Sequence, residues 1–180
     1  MKQEDITKKL FNELPEINKA DFSKYLFEQY KLYVESIERV SDRRLKTNEF
    51  FLAINTATIA AIGFAFGKGG NNIPPLFYIL SALGGISICY LWYGIIRSYK
   101  GLNSGKLKMI HAIETKLPLS LYDTEWDVLG RGNDKSKYWP FSHIELNIPW
   151  AFIIFHSFIL LKFLIPILIL IYPILMGPIK

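Results

Sequence analysis

Residues 50–66 read FFLAINTATIAAIGFAF, and this stretch contains no charged side chain. Two further stretches share this character, because residues 69–96 carry no charge and residues 146–179 carry only Lys162. An apolar stretch of about 20 residues is long enough to cross the hydrocarbon layer of a bilayer as a helix. The averages over all 180 residues, 51% hydrophobic and 21% charged, hide this segregation. The pattern predicts a membrane protein and argues against an ordinary soluble enzyme, a disordered chain or a nucleic-acid-binding chain.

The apolar stretches predict an all-α membrane protein with three transmembrane helices, built as one structural unit. The expected organisation is a cytosolic helical stalk over residues 1–49, a cytosolic helical loop over residues 97–147, and transmembrane helices over residues 50–67, 73–96 and 148–177. Lysine and arginine are enriched on the cytosolic side of membrane proteins. Of the 21 in this chain, ten lie in the stalk and eight in the loop. We therefore expect the N-terminus in the cytosol and the C-terminus outside.

The first transmembrane helix is expected to begin far outside the membrane. Asp21 is the predicted N-cap, and no Gly or Pro follows it before Gly63. A helix of about 45 residues reaches roughly 65 Å. Only about half of that length fits in the hydrocarbon layer, so the stalk should project into the cytosol.

One face of the stalk carries apolar residues at the 4-3-4-3 spacing typical of coiled coils. Two interpretations remain open: the face packs on the chain's own 97–147 segment, or it forms a subunit–subunit seam in a ring. The residues of this predicted seam are Leu26, Tyr30, Tyr33, Ile37 and Val40.

The same spacing continues into the membrane as a polar stripe of Arg44, Asn48, Asn55 and Thr58. Polar side chains inside a transmembrane helix usually face protein or water, because lipid leaves them without hydrogen-bond partners. The stripe is therefore expected either to join helices of the protein or to line a pore. Lys162, in the third span, is the remaining candidate for such a role.

The third span is longer than a bilayer requires, since residues 148–176 would form a helix of about 44 Å. In one arrangement the whole helix is embedded, bent near Pro166, and Lys162 faces protein or water. In the other, only about residues 158–177 cross, and Lys162 reaches the cytosolic edge at the level of Glu49 and Arg97. The preceding Ser142-His-Ile-Glu145 has the pattern of a capping box that starts the helix.

The sequence predicts an aromatic belt at the cytosolic end of span two and two short helices between spans two and three. The belt comprises Tyr90, Trp92 and Tyr93 at the membrane interface. The helices are an amphipathic one over residues 105–117 and one that starts at Asp123 and ends at Gly130. Ion pairs are expected to tie this loop to the stalk; the residues proposed for them are Arg43, Arg44, Arg97, Glu125 and Glu145.

No motif for catalysis, cofactor or metal binding is present. The chain lacks phosphate-binding glycine motifs, and its three histidines are scattered without ligand spacing. Cys89 is the single cysteine, which excludes an intramolecular disulfide and a cysteine-based zinc site. We therefore expect no catalytic residue, no cofactor and no enzyme activity.

Several segments together resemble one family. They are residues 30–44, YKLYVESIERVSDRR; residues 48–56, NEFFLAINT; residues 97–108, RSYKGLNSGKLK; Glu125-Trp126; and Ile144-Glu145 before Pro149. As a set they are similar to the RipA family of small bacterial membrane proteins, over about residues 25–160. The resemblance implies an inner-membrane homo-oligomer, an octamer, with no established catalytic activity.

Two functions compete on this basis. The first is a cytosol-gated oligomeric pore. By analogy only, the membrane-disrupting effectors of bacterial anti-phage systems have the same general build. The second is a non-conducting scaffold that recruits a cytosolic partner or organises lipid. A small transporter or an enzyme subunit is a weaker third reading. The expected partners are other copies of the chain, membrane lipid, and a cytosolic protein or a small-molecule trigger, but no nucleic acid.

Overall fold

The computed structural model describes residues 3–12, 18–69, 73–138 and 144–176. These residues form helices and connecting turns, with no strand among them. The prediction of an all-α protein is therefore confirmed. A single turn of 3-10 helix covers Gly130–Gly132. The α-helices are α1 (Gln3–Leu10), α2 (Lys19–Gly69), α3 (Pro75–Glu114), α4 (Leu121–Val128) and α5 (Asn147–Met176).

Three helices of the described chain are long and apolar enough to cross a membrane, as predicted. They cover Lys19–Gly67, Pro75–Glu114 and Asn147–Tyr172. Within their most apolar segments, only 11%, 28% and 6% of the residues are buried inside the chain. Most of the apolar surface is thus left for lipid or for other subunits. The cytosolic and external placement of the segments stays a prediction.

The start of α2 lies earlier than predicted. The backbone N–H of Asp21 donates to Asn18 Oδ1 at 2.9 Å, and the Asn18 amide donates to Asp21 Oδ2 at 2.7 Å. Asn18 is therefore the N-cap, and Asp21 is the third residue of the helix that answers it, as in a capping box. The assignment of the cap to Asp21 was wrong because an acidic residue is equally favourable inside the first turn.

The separate helix predicted over residues 105–117 is also wrong. Residues 105–114 continue α3, which runs without interruption from Pro75 to Glu114, and residues 115–117 form the turn that follows it. Gly94, Gly101 and Gly105 do not break the helix, because a glycine costs only about 1 kcal/mol relative to alanine. The next proline, Pro118, follows the end of the helix. The proposed capping box falls partly on Ser142 and His143, which lie outside the described residues.

The chain divides into two compact units. The first unit comprises Met1–Leu45 and Arg97–His143, and the second comprises Lys46–Ile96 and Ile144–Lys180. The predicted single structural unit and the predicted segment limits stay predictions. In the first unit, the buried residues include Ile6, Leu26 and Ile37, together with Ile110, Ala112 and Ile113 near the end of α3.

The second unit is a bundle of three helix segments, from α2, α3 and α5. At one end, Phe51 of α2 stacks on Trp92 of α3, with ring centroids 5.8 Å apart. At the other end, Tyr78 of α3 stacks on Phe163 of α5 at 4.2 Å, and Phe66 of α2 approaches both rings. Since residue numbers along α2 and α5 rise together while those along α3 fall, α5 runs parallel to α2 and α3 runs antiparallel.

Gly85 of α3 packs directly against His156 of α5. A Cβ atom placed on Gly85 would lie 2.5 Å from the His156 ring, and that ring is fully buried. No side chain at position 85 fits without moving the histidine. A Cβ atom placed on the neighbouring Gly84 would have no other atom within 4 Å. Only one glycine of the pair is therefore required by packing.

We predict that Gly85→Ala lowers the stability of the second unit by about 1–3 kcal/mol, the usual cost of overpacking. The matched control is Gly84→Ala, which should be neutral or stabilising by up to about 1 kcal/mol because alanine is the better helix former. Thermal unfolding of the detergent-solubilised variants measures both. Equal midpoints for the two variants would contradict the packing described here.

Candidate functional site

The centre of the second unit holds a buried amide. Asn55 is 1% exposed, and its Nδ2 donates to the Phe51 carbonyl at 2.8 Å. Its Oδ1 accepts from Cys89 Sγ at 2.9 Å. His156 Nε2 lies 3.3 Å from the same oxygen and donates to it when that nitrogen carries the proton. One side chain of α2 is thus bonded to α3 and α5 together.

A second polar contact lies two turns earlier on α2. Asn48 Nδ2 donates to Glu145 Oε1 at 3.0 Å, and Asn48 Oδ1 accepts from Trp92 Nε1 at 2.9 Å. Trp92 is 1% exposed, so it is a core residue and its assignment to an interfacial belt was wrong. Its ring NH and the Asn48 amide satisfy each other inside the bundle, which a side chain anchored in headgroups does not need.

The two asparagines of the predicted stripe therefore contact helices of their own chain. Thr58 is half-buried, and its hydroxyl donates to the Ile54 carbonyl one turn back along α2 at 2.8 Å. Arg44 lies in the first unit and is half-buried. A role of this stripe in joining helices agrees with the contacts of Asn48 and Asn55, whereas its role in lining a pore stays a prediction.

Lys162 lies elsewhere in the second unit. Its ammonium is 4.1 Å from the centroid of the Phe66 ring and 5.9 Å from that of Phe163. Phe66 follows Glu49 by 17 residues, or about 25 Å along α2. The arrangement that put Lys162 at the level of Glu49 is therefore wrong. The aromatic rings at the far end of the bundle hold the ammonium instead, through cation–π attraction.

A family model of the octameric membrane protein family (8xMP) matches residues 27–165 of this chain. The chain belongs to the 8xMP family. The predicted resemblance to a family of octameric membrane proteins is thereby confirmed. Neither the curated proteins nor the solved structures contain a match. Membership of the 8xMP family supports self-association, and it leaves function and orientation open.

The predicted seam of this 8xMP protein contacts its own chain in the first unit. Leu26 and Ile37 are buried, and Val40 is half-buried. The Tyr30 hydroxyl donates to Glu114 Oε1 at 2.9 Å, and the Lys106 ammonium lies 4.5 Å from the Tyr33 ring centroid. Of the two interpretations, packing on the chain's own segment agrees with these contacts. A seam between subunits stays a prediction for the rest of this face.

Glu114 is a central residue of the first unit that the sequence analysis did not single out. Its carboxylate is 1% exposed and accepts from the backbone N–H groups of Tyr122 and Asp123 at 2.9 and 3.1 Å. These are the second and third residues of α4, whose own N-cap position, Ser120, makes no side-chain cap. Glu114 therefore caps α4 from another helix.

The burial of this site changes the ionisation of its tyrosine. Burial of the Tyr30 hydroxyl, followed by its hydrogen bond to Glu114, raises the pKa of Tyr30 well above its usual range. The phenol therefore remains a donor to the carboxylate at all physiological pH values. The signal for this site was present in the sequence, because Glu114 lies one turn after Ile110 on the apolar face of that helix.

The predicted ion pairs between loop and stalk stay predictions. Glu125 and Arg97 are both exposed, and among the described residues they form no ion pair with each other. Arg131 pairs locally with Asp123 at 3.2 Å and with Asp127. Arg43 is exposed, and its predicted pairing with Glu125 stays a prediction. Glu145 lies in the second unit, where it accepts from Asn48.

Metal and catalytic chemistry find no support in the described residues. No cluster of three or more His, Cys, Asp or Glu side chains that could hold a metal ion occurs among them. Cys89 and His156 share the oxygen of Asn55, an arrangement that joins helices. The expectations of no catalytic residue and no cofactor stay predictions.

The outward side of α2 in the second unit is lined by alanines, which the sequence analysis also missed. Ala53, Ala57 and Ala61 recur at every fourth residue, with Ala60 beside them, and all four are exposed. Small residues at four-residue spacing let two membrane helices approach closely. We call these four residues the alanine face. The four-residue spacing of these alanines is visible in the sequence and could have predicted this face.

We predict that Glu114→Ala unfolds α4 locally, because its two amide groups lose their acceptor; losing a cap costs roughly 0.5–2 kcal/mol. Hydrogen–deuterium exchange over residues 121–128 should be faster in this variant. The control is Glu125→Ala, which removes an exposed carboxylate from α4 itself and should leave exchange nearly unchanged. Slow exchange in both variants would show that α4 does not depend on Glu114.

Proposed function

We propose that this protein assembles as an octamer that serves as a non-conducting membrane scaffold and presents its first unit to a cytosolic partner. The observation that carries the proposal is the engagement of Asn48 and Asn55 inside the bundle. Asn55 is buried and Asn48 is half-buried, and both amides bond to helices of their own chain. These contacts support a role of the two asparagines in the cohesion of the bundle rather than in coating a water-filled channel.

The surface left for assembly is consistent with this proposal. The alanine face is exposed and free of charge, and it lies away from the side of α2 that carries Asn55 and Ile62. Membrane helices associate through close van der Waals contact at such small residues. We therefore assign the subunit contact of the octamer to the alanine face of α2. Lipid would cover the remaining apolar surfaces of α3 and α5.

The first unit supplies the surface for the partner. Both signs of charge are present on its exposed residues, as in the pair of Glu35 with Arg39 and that of Asp127 with Arg131. Mixed charge favours recognition of a protein over binding of nucleic acid. In this proposal the first unit lies in the cytosol and the apolar helices lie in the bacterial inner membrane, with the C-terminus outside. The chain has no catalytic activity of its own.

A pore is the second candidate, and one observation favours it. Lys162 is exposed on α5, a helix that contains no other lysine or arginine and no acidic residue. Eight copies around one axis would form a ring of cations, which is a known way to build an anion-selective constriction. A cytosol-gated pore, including a membrane-disrupting effector opened by a small-molecule trigger, would then use Lys162 and not the asparagines.

We predict that Ala57→Leu converts the octamer into smaller species, because the larger side chain separates two helices that must touch. Native mass spectrometry in mild detergent measures the change. The matched control is Ala151→Leu, the same substitution at an exposed position of α5, which should leave the octamer intact. If Ala57→Leu remains octameric, the alanine face is not the subunit contact.

Scaffold and pore differ in solute flux. Liposomes that contain the octamer should release a small entrapped anionic dye no faster than empty liposomes, with or without a cytosolic extract as a source of trigger. Release that depends on the protein and disappears in Lys162→Met would favour the pore over the scaffold. Unfolded protein is excluded as a cause by checking that the same preparation is octameric.

A further inference from the structure

The second unit contains an open groove between α2 and α5. Its volume is about 250 Å³. Seven of the eight residues that line it are apolar or glycine, and the eighth is Lys162. The groove therefore combines a surface suited to a hydrocarbon chain with one positive charge. The α2 residues of the lining are Ile59, Ile62, Gly63 and Phe66, and the α5 residues are Phe155, Ile159, Lys162 and Phe163.

Lys162 has no acidic partner in this unit. Among the described residues it forms no ion pair, and its ammonium rests on the Phe66 ring. No Asp or Glu occurs in residues 50–113 or 146–180. The acidic side chains of the second unit are Glu49 and Glu145, both at the level of Asn48 and about 25 Å from Lys162 along the bundle.

A cation in an apolar membrane environment is costly, and such residues normally pair with an anion. The Phe66 ring compensates part of the charge by cation–π attraction, but it contributes no hydrogen-bond acceptor of full charge. Because none of the described acidic residues lies near Lys162, the partner expected for it is an anion from outside the chain. In a bilayer the abundant anion is the phosphate of a lipid headgroup, and it arrives attached to an acyl chain that fits the groove.

We propose that the groove between α2 and α5 is a binding site for an anionic phospholipid, with its phosphate on Lys162 and an acyl chain along Ile59 and Ile159. No atom lies within 4 Å of the place where a Cβ of residue 63 would be, so a large side chain substituted for Gly63 has room to occupy the groove. The site is separate from the alanine face, and it requires only that the bundle lies in a membrane. It therefore goes beyond the scaffold function.

Charge complementarity selects the lipid over a second copy of the chain. A second copy would have to bring an acidic side chain to Lys162, and the apolar segments of this chain, residues 50–113 and 146–180, contain none. A zwitterionic lipid also carries a phosphate, but its own ammonium competes with Lys162 for it. We therefore expect the site to prefer phosphatidylglycerol over phosphatidylcholine.

The test is competition between these two lipids on the intact octamer. Purified protein is exchanged into nanodiscs of phosphatidylglycerol and phosphatidylcholine in equal amounts, and the lipids that remain bound after mild release are counted by native mass spectrometry. We expect phosphatidylglycerol to be enriched at up to one molecule per subunit. Lys162→Gln should reduce that enrichment about fivefold, the effect of one lysine near an anionic surface.

Three variants make the outcome decisive. Lys162→Arg keeps the charge and should keep the enrichment, while Lys24→Gln removes an exposed lysine of the first unit and should not change it. Gly63→Leu keeps Lys162 but fills the groove, so it should also abolish the enrichment. Equal binding of both lipids by the parent protein, or full enrichment in Lys162→Gln, would overturn the proposal. Because the alanine face is unchanged in these variants, all of them should remain octameric, whichever way the lipid result falls.

Discussion

The hydrogen bonds of Asn55 are the contacts on which the membrane bundle depends. This one amide bonds to its own helix, to Cys89 of α3, and to His156 of α5 when Nε2 carries the proton. In hydrocarbon the hydrophobic effect does not drive helices together, so close packing and interhelical hydrogen bonds must do so. The fit of His156 against Gly85 supplies the packing at the same level. A change at any of these positions would therefore weaken contacts that involve all three helices.

In the first unit, the buried carboxylate of Glu114 joins helices in a similar way. A carboxylate that is buried without partners is very costly, yet Glu114 accepts three hydrogen bonds, from Tyr30, Tyr122 and Asp123. Two of the donors are the orphan amides at the start of α4, where the helix dipole also favours a negative charge. The same residue thus fixes a short helix that has no cap of its own and fastens it to α2 and α3.

The broad fold could be predicted from the sequence because charge segregation and helix length are properties of single segments. Contacts between segments could not, and this is where the predictions were wrong. Tryptophan is a residue type typical of membrane interfaces, so the sequence predicts an interfacial anchor at position 92. The hydrogen bond from Trp92 to Asn48 on the neighbouring helix instead places its ring in the core. The predicted depth of Lys162 rested on its distance from the ends of the third span. In the structure its ammonium contacts the Phe66 ring, which fixes its position along the bundle. The full length of α3 was not predicted, because the second span was ended where the uncharged stretch stops at residue 96, whereas the helix continues to Glu114.

The polar stripe shows why periodicity alone does not reveal function. Arg44, Asn48, Asn55 and Thr58 share a face of α2, and the same face would serve equally to bind neighbouring helices or to line a channel. The choice depends on which partners lie opposite, and in this bundle those partners are Trp92, Cys89, Glu145 and His156. With Asn48 and Asn55 engaged inside the bundle, residues 50–66 of α2 leave mainly small and apolar side chains exposed to other copies of the chain. In a family of octamers, that constraint moves the search for the subunit contact to the opposite side of the helix, where the alanines lie.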